Sequence, residues 1–475
     1  MTRRASRRTF LKQTAAVAAP LVISSRAWAN APSKKLNVGF VAVGGKGGTH
    51  VSAMIKRGDM NCIAFADVDR DQWQNVLSHE PWSKAAGYTD WRKMFENHAK
   101  NLDVVFVAAP DHTHFAPSMT AVSMGIHCYT EKPLTWSVRE AQLLAQAYAK
   151  NTSVVTQMGN QGHAGDGWRR AYEIVKTGVL GDIVEFHTWT NRPIWPQGGG
   201  RPPKDWERPA PANLDWESWI GAAPMRSYAE YPDEAVTKGK KSKRGKGVYT
   251  PKNWRAFVDF GSGALGDMAC HTTDGIYAIM QPGYAETGEP LFQTTPVGDQ
   301  WQQGMIFKMT FGAAKDRPGF ATYWYEGTRS DGSPVVPETP DELLSEGKSL
   351  PKTGNLVVGT RGKMLVEGDY WNSPRLIPES KAASFGEAPV LLERSPGHHD
   401  EFLMACRGEK PREFSRSNFS YSGPMTANIQ LGNLAARAGK KLILDATGKI
   451  TNDPSINDLA WREPRKGWGP LEMKV

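Results

Sequence analysis

The chain has 475 residues, 40% of them hydrophobic and 23% charged, and a formal net charge of +9. That length asks for two or three domains rather than one core, and the composition is that of an ordinary globular protein. The charge excludes a broad nucleic-acid-binding face once its distribution is read: residues 1–29 hold six basic and no acidic residues, leaving only +3 for the rest.

Residues 1–29 read as an export address. Arg7-Arg8 precede Thr9-Phe10-Leu11-Lys12, a short apolar stretch follows over 15–23, and Ala27-Trp28-Ala29 is a small-x-small cleavage pattern. Cleavage is expected after Ala29, with a periplasmic or otherwise exported product. The twin-arginine route moves folded proteins, which suits a chain that acquires its cofactor first. No run of 18 or more apolar residues occurs, so no permanent membrane insertion is expected. The four cysteines, Cys62, Cys128, Cys270 and Cys406, lie far apart without metal or redox spacing and read as buried thiols. No metal site is expected, since His398-His399 has no third ligand in view.

An apolar strand over 36–43 runs into Gly44-Gly45-Lys46-Gly47-Gly48 and then a helical pattern over 51–55. Strand, glycine turn and helix are the setting in which such glycines bind a dinucleotide, with the phosphates at the helix N-terminus. In register the fingerprint is Ala42-x-Gly44-x-x-Gly47, with alanine in place of the first glycine. A second strand over 61–66 ends at Asp67, an acid placed to accept from a ribose and so to favour NAD; Asp69-Arg70 leaves NADP open. A third strand over 103–109 meets Pro110-Asp111-His112-Thr113-His114, where doubly wound sheets take ligands. A helix over 116–124 and a short strand lead to Glu131-Lys132-Pro133.

From the strand end at Asp111–His114 and from Glu131-Lys132-Pro133, the chain resembles the Gfo/Idh/MocA oxidoreductases, the glucose–fructose oxidoreductase and inositol dehydrogenase group. The resemblance continues through Thr156-Gln-Met-Gly-Asn160-Gln161, Asp259 to His271, His399-Asp-Glu-Phe402 and Gly432-Asn433. It implies an α/β Rossmann domain over 35–155 and an α+β domain over 156–475 with an open, mainly antiparallel sheet, helices over 398–440 packing back, and a homo-oligomer formed through that sheet. It also implies that Lys132, Asp267 and His271 are catalytic and that Asp111, His114, Glu131 and Lys132 face the cofactor. The i, i+4 spacing of Asp267 and His271 puts both on one helix face, where the carboxylate orients substrate or stabilises a protonated imidazole.

From about residue 155 the pattern turns to extended segments, near 183–189, 304–311 and 320–325. Between them, residues 191–260 form a Pro- and Gly-rich excursion with Trp195, Trp206, Trp216, Trp219 and Trp254. Loops of that length are functional or disordered, and the tryptophans argue against disorder. Asn160, Arg192, Trp195 and Gln197 are expected to line a carbohydrate substrate. Loops are expected over 328–352 and 378–388. The expected activity is hydride transfer between a tightly bound NAD, or NADP, and a hydroxyl of a sugar, glycoside or polyol. The alternative is a redox-neutral, NAD-dependent glycoside hydrolase that oxidises, eliminates, hydrates and reduces.

Overall fold

The computed structural model describes residues 35–232 and 246–475, so the expected export address lies outside the described residues. The run LNVGFV forms β1 (Leu36–Val41), buried at nearly every position, as a strand covered on both faces must be. It sits inside a six-stranded parallel sheet of order β3-β2-β1-β4-β5-β6. The others are β2 (Met60–Ala66), β3 (Ala86–Tyr88), β4 (Val104–Val107), β5 (His127–Thr130) and β6 (Thr156–Met158). Helices α1 (Gly45–Arg57), α2 (Trp91–His98), α3 (Asp111–Ser123) and α4 (Val138–Lys150) make crossovers. The order reverses between β1 and β4, which opens the crevice used by ligands in doubly wound sheets.

The domain boundary expected at 155 is three residues early. Cys128, Tyr129 and Thr130 pair in parallel with Thr156, Gln157 and Met158, so β6 belongs to the first sheet. A three-residue strand carries too little periodicity to be read from sequence.

The second sheet has the order β13-β12-β11-β7-β10-β9-β8-β14. Its strands are β7 (Ile183–Trp189), β8 (Thr287–Gln293), β9 (Gly304–Phe311), β10 (Phe320–Gly327), β11 (Gly354–Gly359), β12 (Gly362–Glu367), β13 (Ser373–Ile377) and β14 (Leu442–Ile443). All pairs are antiparallel except β7 with β10. Strand β9 alternates buried and half-buried residues, the pattern of a sheet with one packed face. That face is met by α5 (Asp166–Lys176), α6 (Gly263–Thr272) and α9 (Phe419–Ala438), while α7 (Asp274–Met280) lies on α5.

Two helices tie the halves together. Helix α8 (His398–Cys406) lies on the nucleotide sheet, where Phe402 meets the Phe106 ring edge-on at 5.9 Å. Helix α9 lies on α4, and a side chain at Gly423 would come within 2.8 Å of the Ala145 methyl, so the glycine sets their approach. The result is one core running through both sheets.

Three expectations change. The helix expected over 116–124 begins at Asp111, so Asp111–His114 form its first turn, where an acid suits the helix dipole. The loops expected over 328–352 and 378–388 contain short helices, Asp341–Leu344 and Glu379–Phe385, each starting after a proline. In the 191–260 excursion, Trp195, Trp219, Tyr249, Trp254 and Phe260 face inward as a separate core, and Trp216 stacks on Trp219 at 4.7 Å. A long excursion with little regular structure needs such burial to hold one shape.

Ala42 sits at φ 70°, the left-handed conformation a glycine would adopt freely. Ala42→Gly is therefore expected to raise stability by about 0.5–1 kcal/mol, the relief of strain outweighing the freer unfolded chain. Chemical denaturation checks it, with Ala42→Val expected to destabilise; a less stable Ala42→Gly would show the turn unstrained.

Candidate active site

The glycine turn is open on one side and packed on the other. Nothing lies within 4 Å of a side chain built at Gly45, whereas one at Gly47 would fall 2.1 Å from the Ala42 carbonyl oxygen. Gly44 precedes α1 in extended conformation, leaving first-turn N–H groups of the helix directed at the crevice. Asp67 is turned inward to this loop. Its Oδ2 accepts from the N–H groups of Val43 (2.8 Å) and Gly44 (3.0 Å), and its Oδ1 from Asp69 N–H (2.9 Å). Burial raises its pKa against those three hydrogen bonds. The acid expected to read a ribose thus braces the turn.

After β5 the chain delivers Glu131 and Lys132. Lys132 Nζ donates to Asp267 Oδ1 (2.9 Å) and to the Asp267 carbonyl (2.6 Å), reaching from the first domain to α6. Arg255, from the tryptophan-rich excursion, donates to the same Oδ1 from Nε at 2.8 Å. Burial alone would lower the Lys132 pKa, but the Asp267 charge outweighs it and holds the ammonium above its ordinary value. Burial likewise opposes ionisation of Asp267, and Lys132 with Arg255 reverses that, driving it well below the carboxylate range.

His271 lies one turn along α6 but does not pair with Asp267. Its Nδ1 is buried with no hydrogen-bond partner, and its pKa is lowered to about 3 by burial and then by the Lys132 charge. The expected protonated imidazole beside a carboxylate is replaced by a neutral one, because Asp267 is taken up by two cations. The Tyr370 ring meets His271 edge-on at 4.9 Å.

Glu131 is held at about 2: burial would raise it, but the His50 hydrogen bond (2.8 Å) and the charges of Lys46 and Lys132 prevail. His50 Nδ1 faces His399 Nε2 at 3.0 Å, at the edge of a cleft of about 320 Å³ between α1 and α8. A side chain at Gly159 would strike the Glu131 carboxyl at 2.5 Å, so that glycine makes room for it.

Other expected ligands are committed inside the protein. His114 faces the carbonyls of Pro133 and Ala109, each at 2.7 Å, and holds the Lys132 turn against the end of β4. Asp111 accepts from the Ser262 N–H at 3.0 Å and anchors the start of α6. Asn160 is fully buried, donating to Asp274 at 2.8 Å and accepting from Ser417. Trp195 donates to Gln197, which donates to the Gln302 carbonyl, and both are buried in the excursion's own core. Arg192 alone of that group reaches the site's rim, 4.0 Å from Asp369 beside Tyr370. Sequence reasoning missed Arg255, Tyr370, His50 and Asp369. The available signals were a cation beside Trp254 and an aromatic pair, Tyr370-Trp371, straight after the Gly368-Asp369 turn.

Residues 36–159 match the Gfo/Idh/MocA family, described as an oxidoreductase family with an NAD-binding Rossmann fold. Residues 36–159 thus carry the NAD-binding Rossmann fold of that family. The chain is 22% identical to inositol 2-dehydrogenase of Salmonella typhimurium over 153 residues, which is 32% of this chain and 45% of that protein. It is 26% identical over 207 residues to a glycosyl hydrolase family 109 protein of Shewanella sp. ANA-3, 38% of this chain and 44% of that one. The chain thus spans less than half the length of these curated relatives. The WlbA dehydrogenase of Bordetella pertussis, solved with NADH and UDP-GlcNAcA, shares the fold with a TM-score of 0.56 and 15% identity, over 87% of this chain and 99% of that one.

Three buried histidines and one half-buried one set the acid response of this protein. Burial first, and neighbouring cations or histidines second, hold His271 and His398 at about 3 and His399 at about 4; burial also holds His112 at about 3. Below pH 6.5 the unfolded chain takes up protons that the folded one resists, at about 1.4 kcal/mol per pH unit and group. Glu140 and Glu326, raised by burial to about 7, act oppositely between pH 7 and 4.5. Melting temperature is expected to fall gently from pH 6.5 to 4.5 and steeply towards 3. A flat profile by calorimetry would contradict the neutral histidines.

Proposed function

We propose that this chain is an exported NAD-dependent oxidoreductase moving a hydride between nicotinamide and a hydroxyl-bearing carbon of a sugar, glycoside or polyol. The observation that carries the reading is a charged Lys132, clamped by Asp267, beside a neutral His271 at the mouth of the dinucleotide crevice. Gly44, Gly45 and Gly47 would hold the phosphates, with Glu131 and Lys132 towards the nicotinamide. When bound, the nicotinamide supplies the acceptor for the two electrons that leave the carbon.

The residues then divide the proton work. His271, the uncharged neighbour of Lys132, is the group we assign to accept the hydroxyl proton. The negative charge developing on the substrate oxygen supplies the basicity that burial and Lys132 take from the free imidazole. Lys132 donates a hydrogen bond to the same oxygen and stabilises the negative charge developing there. Asp267 orients Lys132 and keeps it protonated, and Arg255 keeps Asp267 in place. In the reverse direction the imidazolium returns the proton.

Export by the twin-arginine route explains a requirement for tight cofactor retention, because a periplasm offers no nicotinamide pool. Oxidation must then be balanced by a second substrate or within one turnover. The second case is the redox-neutral glycoside hydrolase, and the likeness to a glycosyl hydrolase family 109 protein favours keeping it. The outer face of the eight-stranded sheet is the surface we assign to homo-oligomer formation.

Incubation with aryl glycosides, following aglycone release and reduced-nicotinamide absorbance together, separates the readings: ketosugar with reduced cofactor marks the oxidoreductase, release without net reduction the hydrolase. Lys132→Ala and His271→Ala are each expected to lower kcat by about 100-fold or more; full turnover in either would end this mechanism. Asp267→Asn leaves burial and Arg255 to depress the Lys132 pKa unopposed. The alkaline limb of kcat/KM is therefore expected to move to lower pH, and an unmoved limb would detach Asp267 from Lys132.

A further inference from the structure

The connection from β12 to β13 is held in a costly conformation. Gly368 (φ 80°) and Trp371 (φ 61°) both lie in the left-handed region, which an aromatic residue adopts only where its surroundings over-determine it. Here they do. The Trp371 indole is buried, and its Nε1 donates at 2.6 Å to the carbonyl of Thr272, the neighbour of His271. A side chain at Gly275 would meet the indole at 2.3 Å, and one at Gly167 would meet the Trp371 carbonyl at 1.6 Å. Two glycines therefore make the socket that locks Trp371.

Locking Trp371 fixes the residue before it over the proton-transfer pair. The Tyr370 ring lies edge-on to His271 at 4.9 Å and covers Gly162, where a side chain would come within 2.9 Å. Burial first raises the phenol's pKa, so its hydroxyl stays a neutral donor, with Lys132, Asp369, Asp267 and Arg192 as its charged neighbours. Its hydroxyl accepts from Gln161 Nε2 at 3.5 Å, the outer limit of a hydrogen bond. Next to it, Asp369 Oδ1 is buried without a partner, and Arg192 stands 4.0 Å from Oδ2. A polar patch from the second domain thus faces Lys132 and His271 with hydrogen-bonding capacity that the protein does not use.

We propose that Tyr370 hydrogen-bonds the substrate hydroxyl adjacent to the one that reacts, so that the enzyme selects vicinal hydroxyls. This rests on the oxidoreductase reading, in which Lys132 and His271 hold the reacting hydroxyl. A substrate with one isolated hydroxyl would leave the Tyr370 hydroxyl unpaired beside the reacting group, a basis for discrimination.

The test is a cycle between residue and substrate. Methyl glycosides of glucose, galactose and N-acetylgalactosamine, with myo-inositol, are screened, and the best is compared with its monodeoxy forms in wild type and Tyr370→Phe. The variant removes one oxygen from a half-buried ring, and its melting temperature serves as the folding control. The expected result is a loss of about 10–100-fold in kcat/KM on the parent and under about twofold on the deoxy form lacking the adjacent hydroxyl. Calorimetric Kd values are expected to follow the same pattern. An equal loss on every analogue, or none on the parent, overturns the proposal while leaving the oxidoreductase reading standing. A wild type inert on the whole panel removes that reading instead, and the Kd cycle then decides the Tyr370 contact by itself.

Discussion

One carboxylate oxygen organises this protein. Asp267 Oδ1 receives Lys132 from the turn after β5 and Arg255 from the excursion between β7 and α6, while Asp267 itself rides on α6. The Lys132 turn is thereby pinned to a helix 135 residues further along the chain, and the end of the excursion to the same atom. Removing one partner from such a largely buried cluster strands a charge, and breaking a buried pair costs about 3–5 kcal/mol. The same arrangement sets the protonation of its neighbour: a lysine kept charged by Asp267 helps keep His271 uncharged. The protonation states of Lys132 and His271 are thus set by one electrostatic constraint rather than by two independent environments.

Several residues that resemble ligands are the supports of that arrangement. His114 joins the end of β4 to the Lys132 turn, and Asp111 fixes the N-terminus of α6 through Ser262. Gln430 and Asn433 of α9 grip Ser262 from the other side, through its hydroxyl and its carbonyl. Groups that hold a reacting side chain to within a fraction of an ångström are as necessary as the side chain itself. They also tie the two domains together: α6, which carries Asp267 and His271, is anchored at its start by Asp111 of the first domain.

The tryptophan-rich excursion shows the same economy. Its aromatic rings stabilise the loop internally, and it brings to the site the cation Arg255, whose guanidinium also lies 4.2 Å over the Trp254 ring. Burial of the rings gives Arg255 a rigid base. On the opposite side, the locked Trp371 does the same for Tyr370.

The sequence by itself determined the parallel sheet and its glycine turn, because apolar runs and glycines are local and survive without knowledge of what packs on them. It also singled out Lys132, Asp267 and His271 by motif as candidates, and it located the irregular fingerprint at Ala42, whose backbone does carry a glycine's conformation. Only the tertiary structure decided what each polar group touches. Asp111, His114, Asn160, Trp195 and Gln197 were expected at ligands and are committed to internal partners. Arg255 and Tyr370 carry no motif and reach the site through long-range packing. The reason is physical: a hydrogen bond or ion pair made through tertiary packing, as between Lys132 and Asp267, leaves no periodic trace in the chain. The side on which Asp267 spends its charge is settled by such contacts alone.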